Sequence, residues 1–278
     1  MKAIFLKQLA VGLALFATVA CGQNGTMPTN ITASDANVIS SPTSEKQTNS
    51  SIVSGGPRRV MYESPDKVII VGSFYAVTKP DSPAVLLLHQ FGSNRQSYDE
   101  FAKRLQAKGF GVLAIDGRGF GESVMAADGK AVSVSRSDDA VKGMLDDVGA
   151  AFEFLSKQKN VDPARIGIVG ASYGSSLAMI YGSDNPKVKS VALLSPGLSY
   201  FGNMPTEPAI KKYGDRALLM IAADDDKESA DSVRKLKEAG ANAKYEIQIY
   251  PKGGHGTGLF RAKVGLEDLL EQFLIKSL

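Results

Sequence analysis

The chain has 278 residues, of which 44% are hydrophobic and 22% are charged, which is enough for one domain with a sizeable core. Its formal net charge is +3 at pH 7 and its basic residues form no run, so an electrostatic footprint for nucleic acid is excluded. The chain also holds no repeat of fixed period. A single folded domain is therefore expected.

A basic start and a short apolar run open the chain. The run over 9–20 is too short to span a bilayer, so residues 1–21 are predicted to be a secretory signal peptide. It ends at Ala20 and Cys21, and Cys21 is the only cysteine of the protein. This end resembles the lipobox of bacterial lipoproteins, which implies that Cys21 is lipidated and anchors the exported chain to a membrane of the cell envelope, the outer membrane being favoured. Cleavage after Ala20 without a lipid, giving a periplasmic protein, stays open.

Residues 22–57 are rich in Ser, Thr, Asn, Gly and Pro and show no periodicity. Such a segment cannot bury enough apolar surface to fold, so we interpret it as a flexible tether. The folded domain is predicted to span residues 58–278.

Strand-like and helix-like patterns alternate through this domain. The β-branched and aromatic segment 68–77 predicts an early antiparallel strand, and the continuously apolar segments 84–88 and 110–115 predict strands buried on both faces. Helical periodicity covers 96–108 and 138–156. This alternation predicts an α/β fold with a mostly parallel sheet and helices on both faces.

The first chemical motif follows the strand predicted at 84–88. It reads His89-Gln-Phe91-Gly and resembles the His-Gly-x-Gly oxyanion loop of α/β-hydrolases, with Gln90 where that family usually has Gly. The resemblance implies that the amide of Phe91 binds the carbonyl oxygen of a substrate. We interpret His89 as a hydrogen-bonded residue that fixes this loop, and not as a catalytic base.

The next motif, Asp116-Gly-Arg118-Gly-Phe-Gly-Glu-Ser123, resembles the Asp-x-Arg-Gly-x-Gly-x-Ser loop of the same family. A buried carboxylate needs a partner, so we expect Asp116 and Arg118 to form a structural ion pair. Neither residue is assigned a catalytic role.

One serine stands where a predicted buried strand turns abruptly into a helix. The motif Gly170-x-Ser172-x-Gly174 resembles the nucleophile elbow of α/β-hydrolases, in which strained backbone at the serine requires nearly side-chain-free neighbours. The resemblance implies that Ser172 is the nucleophile and that the amide of Tyr173 is the other oxyanion donor.

The segment between the apolar strands predicted at 188–194 and 216–223 occupies the usual position of a lid in this fold. It has roughly 20 residues with several prolines and glycines, too few for a helical cap that would bury a long acyl chain. We therefore expect a minimal cap and an open mouth, lined by Phe91, Tyr173, Tyr200, Phe201 and Met204.

Three consecutive aspartates follow the strand predicted at 216–223. On this fold the acid of a catalytic triad comes after the nucleophile, and in the family it stands about three residues before the N-cap of the next helix. Ser229 is the predicted N-cap of a helix over 229–239, which selects Asp226. Asp225 stays open as the alternative acid.

A glycine-rich segment, Lys252-Gly-Gly-His255-Gly, follows the strand predicted at 245–250. His255 completes the order Ser, Asp, His and is the predicted base, because an imidazole at neutral pH can take a serine proton and pass it to a leaving group. One closing helix is predicted over 259–278.

Residues 60–278 together resemble an α/β-hydrolase. The resemblance implies a serine hydrolase that cleaves short-chain or compact carboxylic esters through an acyl-enzyme on Ser172. A peptidase or amidase of the same fold, and a non-catalytic binding protein of the cell envelope on a hydrolase scaffold, are the alternatives. No metal or other cofactor is implied, the expected partner is a small-molecule ester, and contact with a membrane is expected only through the N-terminal lipid.

Overall fold

The computed structural model describes residues 55–240 and 245–278 of the chain. The predicted signal peptide, with Cys21, lies outside the described residues, and so does nearly all of the predicted tether over 22–57. The first strand begins at Arg58. In the described parts of the chain, no helix has the length and apolar character needed to cross a membrane.

An eight-stranded sheet forms the centre of the fold. In chain order, the strands of the described residues are β1 (Arg58–Glu63), β2 (Ile69–Tyr75), β3 (Ser82–Leu88), β4 (Gly111–Ile115), β5 (Val161–Ala171), β6 (Val188–Leu194), β7 (Ser199–Tyr200), β8 (Met204–Pro205), β9 (Ala217–Ala223) and β10 (Tyr245–Tyr250). The sheet has the order β1-β2-β4-β3-β5-β6-β9-β10, and β7 pairs with β8 apart from it. Within the eight-stranded sheet of the described residues, only β1–β2 and β2–β4 pair antiparallel, so the prediction of a mostly parallel sheet is confirmed.

Helices cover both faces of the sheet. They are α1 (Asp99–Ala107), α2 (Asp138–Ser156), α3 (Tyr173–Asp184), α4 (Thr206–Tyr213), α5 (Lys227–Gly240), α6 (Gly258–Arg261) and α7 (Leu266–Ser277). Helices α2 to α5 pack on one face, and α1, α6 and α7 pack on the other. Successive strand residues point to opposite faces, so Leu86 of β3 joins the first core while Val85 and Leu87 join the second.

The strand order reverses beside β3, which lies between β4 and β5. The chain leaves β3 through α1 on one face to reach β4, and then returns through α2 on the opposite face to reach β5. In open α/β sheets such a reversal leaves a crevice at the carboxyl ends of the strands, where ligands bind. The segments that begin with His89 and Ser172 follow β3 and β5 and flank this crevice.

Two of the predicted helices have other bounds. The prediction of one helix over 259–278 is wrong, because Gly265 has φ 81°, in the left-handed region, and separates α6 from α7. The prediction that Ser229 caps a helix is also wrong, because α5 begins at Lys227 and Ser229 is buried within its first turns.

The predicted ion pair between Asp116 and Arg118 is wrong as well. The Asp116 carboxylate is fully buried and binds the Arg95 guanidinium, and it also accepts a hydrogen bond from the Arg95 amide at 2.7 Å. Arg118 instead binds Asp147 at 2.7 Å and Asp66 at 2.6 Å. Both charges are compensated, but by residues far from them in the chain.

Candidate active site

Ser172 forms the corner between β5 and α3. Its backbone has φ 54° and ψ −123°, a conformation that residues with side chains rarely adopt. A Cβ on Gly170 would lie 2.1 Å from the carbonyl oxygen of Gly174, and a Cβ on Gly174 would lie 2.6 Å from the carbonyl oxygen of His89. Only glycines fit at these two positions, and they allow the start of α3 to pack against the end of β3.

Neighbouring segments hold the corner in place. The Ser172 amide donates to the carbonyl oxygen of Leu194 at the end of β6, at 2.8 Å, and the Ser172 carbonyl accepts from the Ser175 amide, also at 2.8 Å. The Ser172 side chain is buried, and its Oγ lies 2.7 Å from Nε2 of His255. The strained turn therefore presents the hydroxyl to one partner.

The imidazole of His255 links Ser172 to a carboxylate. Its Nδ1 lies 2.7 Å from Oδ2 of Asp226, whose side chain is 15% exposed. A carboxylate only accepts hydrogen bonds, so with Asp226 ionised the proton resides on Nδ1 and Nε2 presents its lone pair to the hydroxyl. This arrangement can take a proton from Ser172 and return it.

Asp225, the alternative acid, binds the backbone and not the imidazole. Its carboxylate accepts from the amide of Gly254 at 3.0 Å and from that of Gly253 at 3.1 Å. These two hydrogen bonds hold the pKa of Asp225 below its usual range. The third aspartate, Asp224, forms an ion pair with Arg234 at 2.7 Å. Of the three, the structure places only Asp226 on the ring of His255.

Two further side chains hold the other end of the His255 loop, and neither was assigned a role from the sequence. The Ser195 hydroxyl accepts from the amide of Gly256 at 2.9 Å, and Oε1 of Gln90 accepts from the amide of Thr257 at 2.7 Å. The departure of Gln90 from the family pattern was the available sequence signal. For Ser195 the signal was weaker, a polar residue at the end of an apolar strand.

The backbone N–H groups of Tyr173 and Phe91, the two predicted oxyanion donors, make no hydrogen bond to a backbone carbonyl of the described residues. Tyr173 is the first residue of α3, so its N–H has no carbonyl one turn earlier to bind. The Phe91 N–H makes no hydrogen bond within residues 55–240 and 245–278. Both amides follow the ends of β3 and β5, two neighbouring parallel strands that flank the crevice.

His89 has the structural position expected for it. Its Nδ1 lies 2.7 Å from the carbonyl oxygen of Gln90, and its Nε2 accepts from the amide of Gly117 at 3.0 Å. Burial lowers the pKa of His89, which favours the neutral ring that this pair of contacts requires. His89 therefore ties the loop after β3 to the loop after β4.

Fewer side chains line the mouth of the site than the sequence predicts. Phe91, Tyr200 and Phe201 are half-buried, but Met204 is fully buried and Tyr173 is 3% exposed, so these two do not line an open mouth as expected. The Tyr200 hydroxyl donates to the carbonyl oxygen of Ser195 at 2.8 Å, and burial raises its pKa.

The helix of the segment in the lid position packs on the core beside α3. Helix α4 buries Ile210 and Tyr213 in the core beside α3, and Thr206 at its start shares a 2.8 Å hydrogen bond with Ser176 of α3. This helix covers the core and not the site, in agreement with a minimal cap.

Within the described residues, no group of three or more His, Cys, Asp or Glu side chains could hold a metal ion.

Comparison with known proteins gives the same architecture. The model of the family described as serine aminopeptidase S33 matches residues 79–215. A structure of an esterase from Pyrococcus furiosus superposes with a TM-score of 0.65 at 17% identity, covering 81% of this chain and 92% of that chain. A dienelactone hydrolase from Anabaena variabilis gives 0.59 at 17% identity, covering 81% and 100% of the two chains. The chain has the α/β-hydrolase fold.

A sequence relative from Mycobacterium tuberculosis, described only as an uncharacterized protein, is 26% identical over 245 residues, which cover 82% of this chain and 82% of that protein. This similarity covers a larger share of the chain than the family match over 79–215. In this α/β-hydrolase fold, the loops that carry Gln90, Ser195 and Asp225 all contact the loop of His255.

Replacing Gln90 with Ala should loosen the His255 loop, because it removes the acceptor of the Thr257 amide. The loss of one such hydrogen bond costs about 1 kcal/mol, so we expect roughly fivefold faster amide exchange at this end of the loop. Hydrogen–deuterium exchange followed by mass spectrometry, on peptides that cover 252–258, measures it. The matched control is Gln106→Ala, which removes a 2.8 Å side-chain bond to the carbonyl of Ala76 and should not change exchange in this loop. Equal exchange in both variants would mean that Gln90 does not hold the loop.

Proposed function

We propose that the protein is a serine hydrolase that cleaves short-chain or compact carboxylic esters through an acyl-enzyme on Ser172. The proposal rests on one observation, the two 2.7 Å contacts that join Ser172 Oγ to the His255 ring and the ring to Asp226. The esterase and the dienelactone hydrolase that share the fold support ester chemistry. The segment in the lid position supports compact substrates, because it forms no cap over the nucleophile.

In the proposed reaction, Ser172 Oγ attacks the acyl carbon of the ester while His255 Nε2 takes its proton. The amides of Phe91 and Tyr173 donate to the oxygen that becomes negatively charged, and Asp226 stabilises the imidazolium. The bond from the acyl carbon to the alcohol oxygen breaks, and the alcohol leaves with the proton from His255. Water then attacks the acyl-enzyme by the same route, which releases the acid and restores Ser172.

A peptidase or amidase is the second candidate, because the matched family model is that of a serine aminopeptidase. The same three side chains can cleave an amide if His255 protonates the leaving amine. Matched 4-nitrophenyl ester and 4-nitroanilide substrates separate the two activities. A larger kcat/KM for the anilide would favour the peptidase.

The Ser172→Ala variant tests the proposal directly. We expect its turnover of 4-nitrophenyl butyrate to fall by about a thousandfold or more, because the nucleophile is lost while the oxyanion donors stay in place. A fluorophosphonate probe should label the wild-type protein at Ser172 and should not label the variant.

Ser176→Ala, in the same helix and also buried, is the matched control and should still be labelled. Folded wild-type protein that neither turns over esters nor reacts with the probe would indicate the non-catalytic binding protein instead. Faster turnover of the palmitate ester than of the butyrate ester would contradict a compact substrate.

The acid is tested by a pair of neighbouring substitutions. Asp226→Asn should lower kcat by about two to four orders of magnitude, because an amide favours the wrong tautomer of His255. Asp225→Asn keeps an oxygen that can accept from the Gly253 and Gly254 amides, so we expect its effect to stay within about tenfold. Steady-state kinetics on both variants decide the assignment, and a larger loss for Asp225→Asn would make Asp225 the acid.

We also propose that the protein is exported and anchored to the cell envelope through a lipid on Cys21, with no other contact to the membrane. The support is the lipobox-like end of the signal peptide, which lies outside the described residues. Mass spectrometry of the N-terminal peptide from the membrane fraction should find a diacylated Cys21. Cys21→Ser should move the protein to the soluble fraction. An unmodified N-terminus at Cys21 or Gly22 in soluble wild-type protein would refute the anchor.

A further inference from the structure

A cluster of aromatic rings lies beside the mouth of the site, and the guanidinium of one arginine contacts it. The guanidinium of Arg136 lies 4.7 Å from the ring centre of Phe91 and 4.9 Å from that of Phe201. These two rings meet edge to face at 5.2 Å, and Tyr173 lies 5.7 Å from Phe91 and 6.2 Å from Phe201. Phe91 and Tyr173 also supply the two proposed oxyanion donors, so Arg136 contacts the side chain of a residue whose backbone belongs to the proposed site.

The backbone of Arg136 is fixed to the same cluster. Nδ2 of Asn203 donates to the carbonyl oxygen of Arg136 at 3.0 Å and to Oδ1 of Asp138 at 2.8 Å. Asn203 belongs to the turn between β7 and β8, which also carries Phe201. The side-chain amide of Asn203 therefore joins the segment of Arg136 to the turn that carries Phe201, whose ring contacts the Arg136 guanidinium.

The charge of Arg136 is not compensated by the protein. Arg95 and Arg118 bind buried carboxylates, whereas Arg136 is exposed and has no ion-pair partner among the residues that the structure describes. The acidic side chains nearest in the chain belong to the first turn of α2, and the one that contacts this cluster, Asp138, accepts from Asn203. Contact with aromatic rings uses the flat faces of a guanidinium and leaves its edge N–H groups free to donate.

We propose that Arg136 binds a carboxylate of the substrate. The preferred esters would then be those whose acyl part ends in a free carboxylate several bonds from the carbonyl that reacts, which are half-esters of dicarboxylic acids. A carboxylate fits because it accepts two parallel hydrogen bonds from the edge of a guanidinium, and the contacts with Phe91 and Phe201 orient the guanidinium of Arg136. This inference rests on the proposed function. Hydrolysis breaks only the ester C–O bond, adds one water, and leaves the distal carboxylate unchanged.

Two esters of equal length test the inference: 4-nitrophenyl hemiadipate, which carries the carboxylate, and the neutral terminal amide of the same ester. We expect kcat/KM of the wild-type protein to favour the hemiadipate by about tenfold or more, mainly through KM. Arg136→Gln should bring this ratio close to one, and Arg136→Lys should keep part of it. Added salt should reduce the wild-type ratio, because the contact is exposed.

The matched control is Arg58→Gln. Arg58 is also exposed and lies 5.6 Å from the ring centre of Phe74, but it is on β1 at the edge of the sheet, and its substitution should preserve the ratio. A wild-type ratio near one, or a ratio that survives in Arg136→Gln, overturns the inference. The proposed function is judged separately, by whether Ser172→Ala abolishes turnover of the neutral ester.

Binding gives a readout that does not depend on turnover. If neither ester is cleaved, calorimetry compares the monoamide of adipic acid, which keeps one carboxylate, with the neutral diamide. Tighter binding of the carboxylate compound by the wild-type protein, lost in Arg136→Gln, supports the site. Equal affinity of the wild-type protein for the two compounds overturns it.

Discussion

The backbone conformation of Ser172 is the constraint on which the site depends. A positive φ at a residue with a side chain costs on the order of 1–3 kcal/mol, and it persists only where the surroundings hold it. Here the strand before the turn is buried in both cores, the Ser172 amide is bound to the end of β6, and Gly174 packs against the last carbonyl groups of β3. The same close packing brings the start of α3, which carries the Tyr173 amide, against the end of β3, where the loop of Phe91 begins.

The His255 loop depends on contacts from three different strands. Gln90 follows β3, Ser195 follows β6 and Asp225 follows β9, and each accepts from backbone amides on one side or the other of His255. Glycines let the loop bend at these points, since Gly254 and Gly256 both have positive φ. Because each contact satisfies an amide that the bend exposes, the loop can be rigid without regular structure.

Local patterns made the sheet and the position of Ser172 predictable, because buried strands and a glycine-flanked turn leave a signal within a few residues. Asp226 shows the limit. It was selected by its distance from a cap at Ser229, yet α5 begins at Lys227, and Asp226 occupies the cap position itself, its carbonyl accepting from Ala230 at 3.0 Å. The partners of Asp116 and of Gln90 could not be predicted, because they belong to loops that follow other strands, and tertiary packing alone decides which groups meet.

The residues proposed for catalysis and those proposed for substrate selectivity are positioned by different elements of the structure. Ser172, Asp226 and His255 follow strand ends and are held by the sheet, whereas Phe201 and Arg136 belong to two loops that the sheet does not position. Those loops are joined by the side chain of Asn203, which spans from one to the other. Loops on a rigid scaffold can change without loss of the fold. The charge at the mouth can therefore vary independently of the reacting groups, provided that an equivalent of the Asn203 bridge keeps the cation over its aromatic rings.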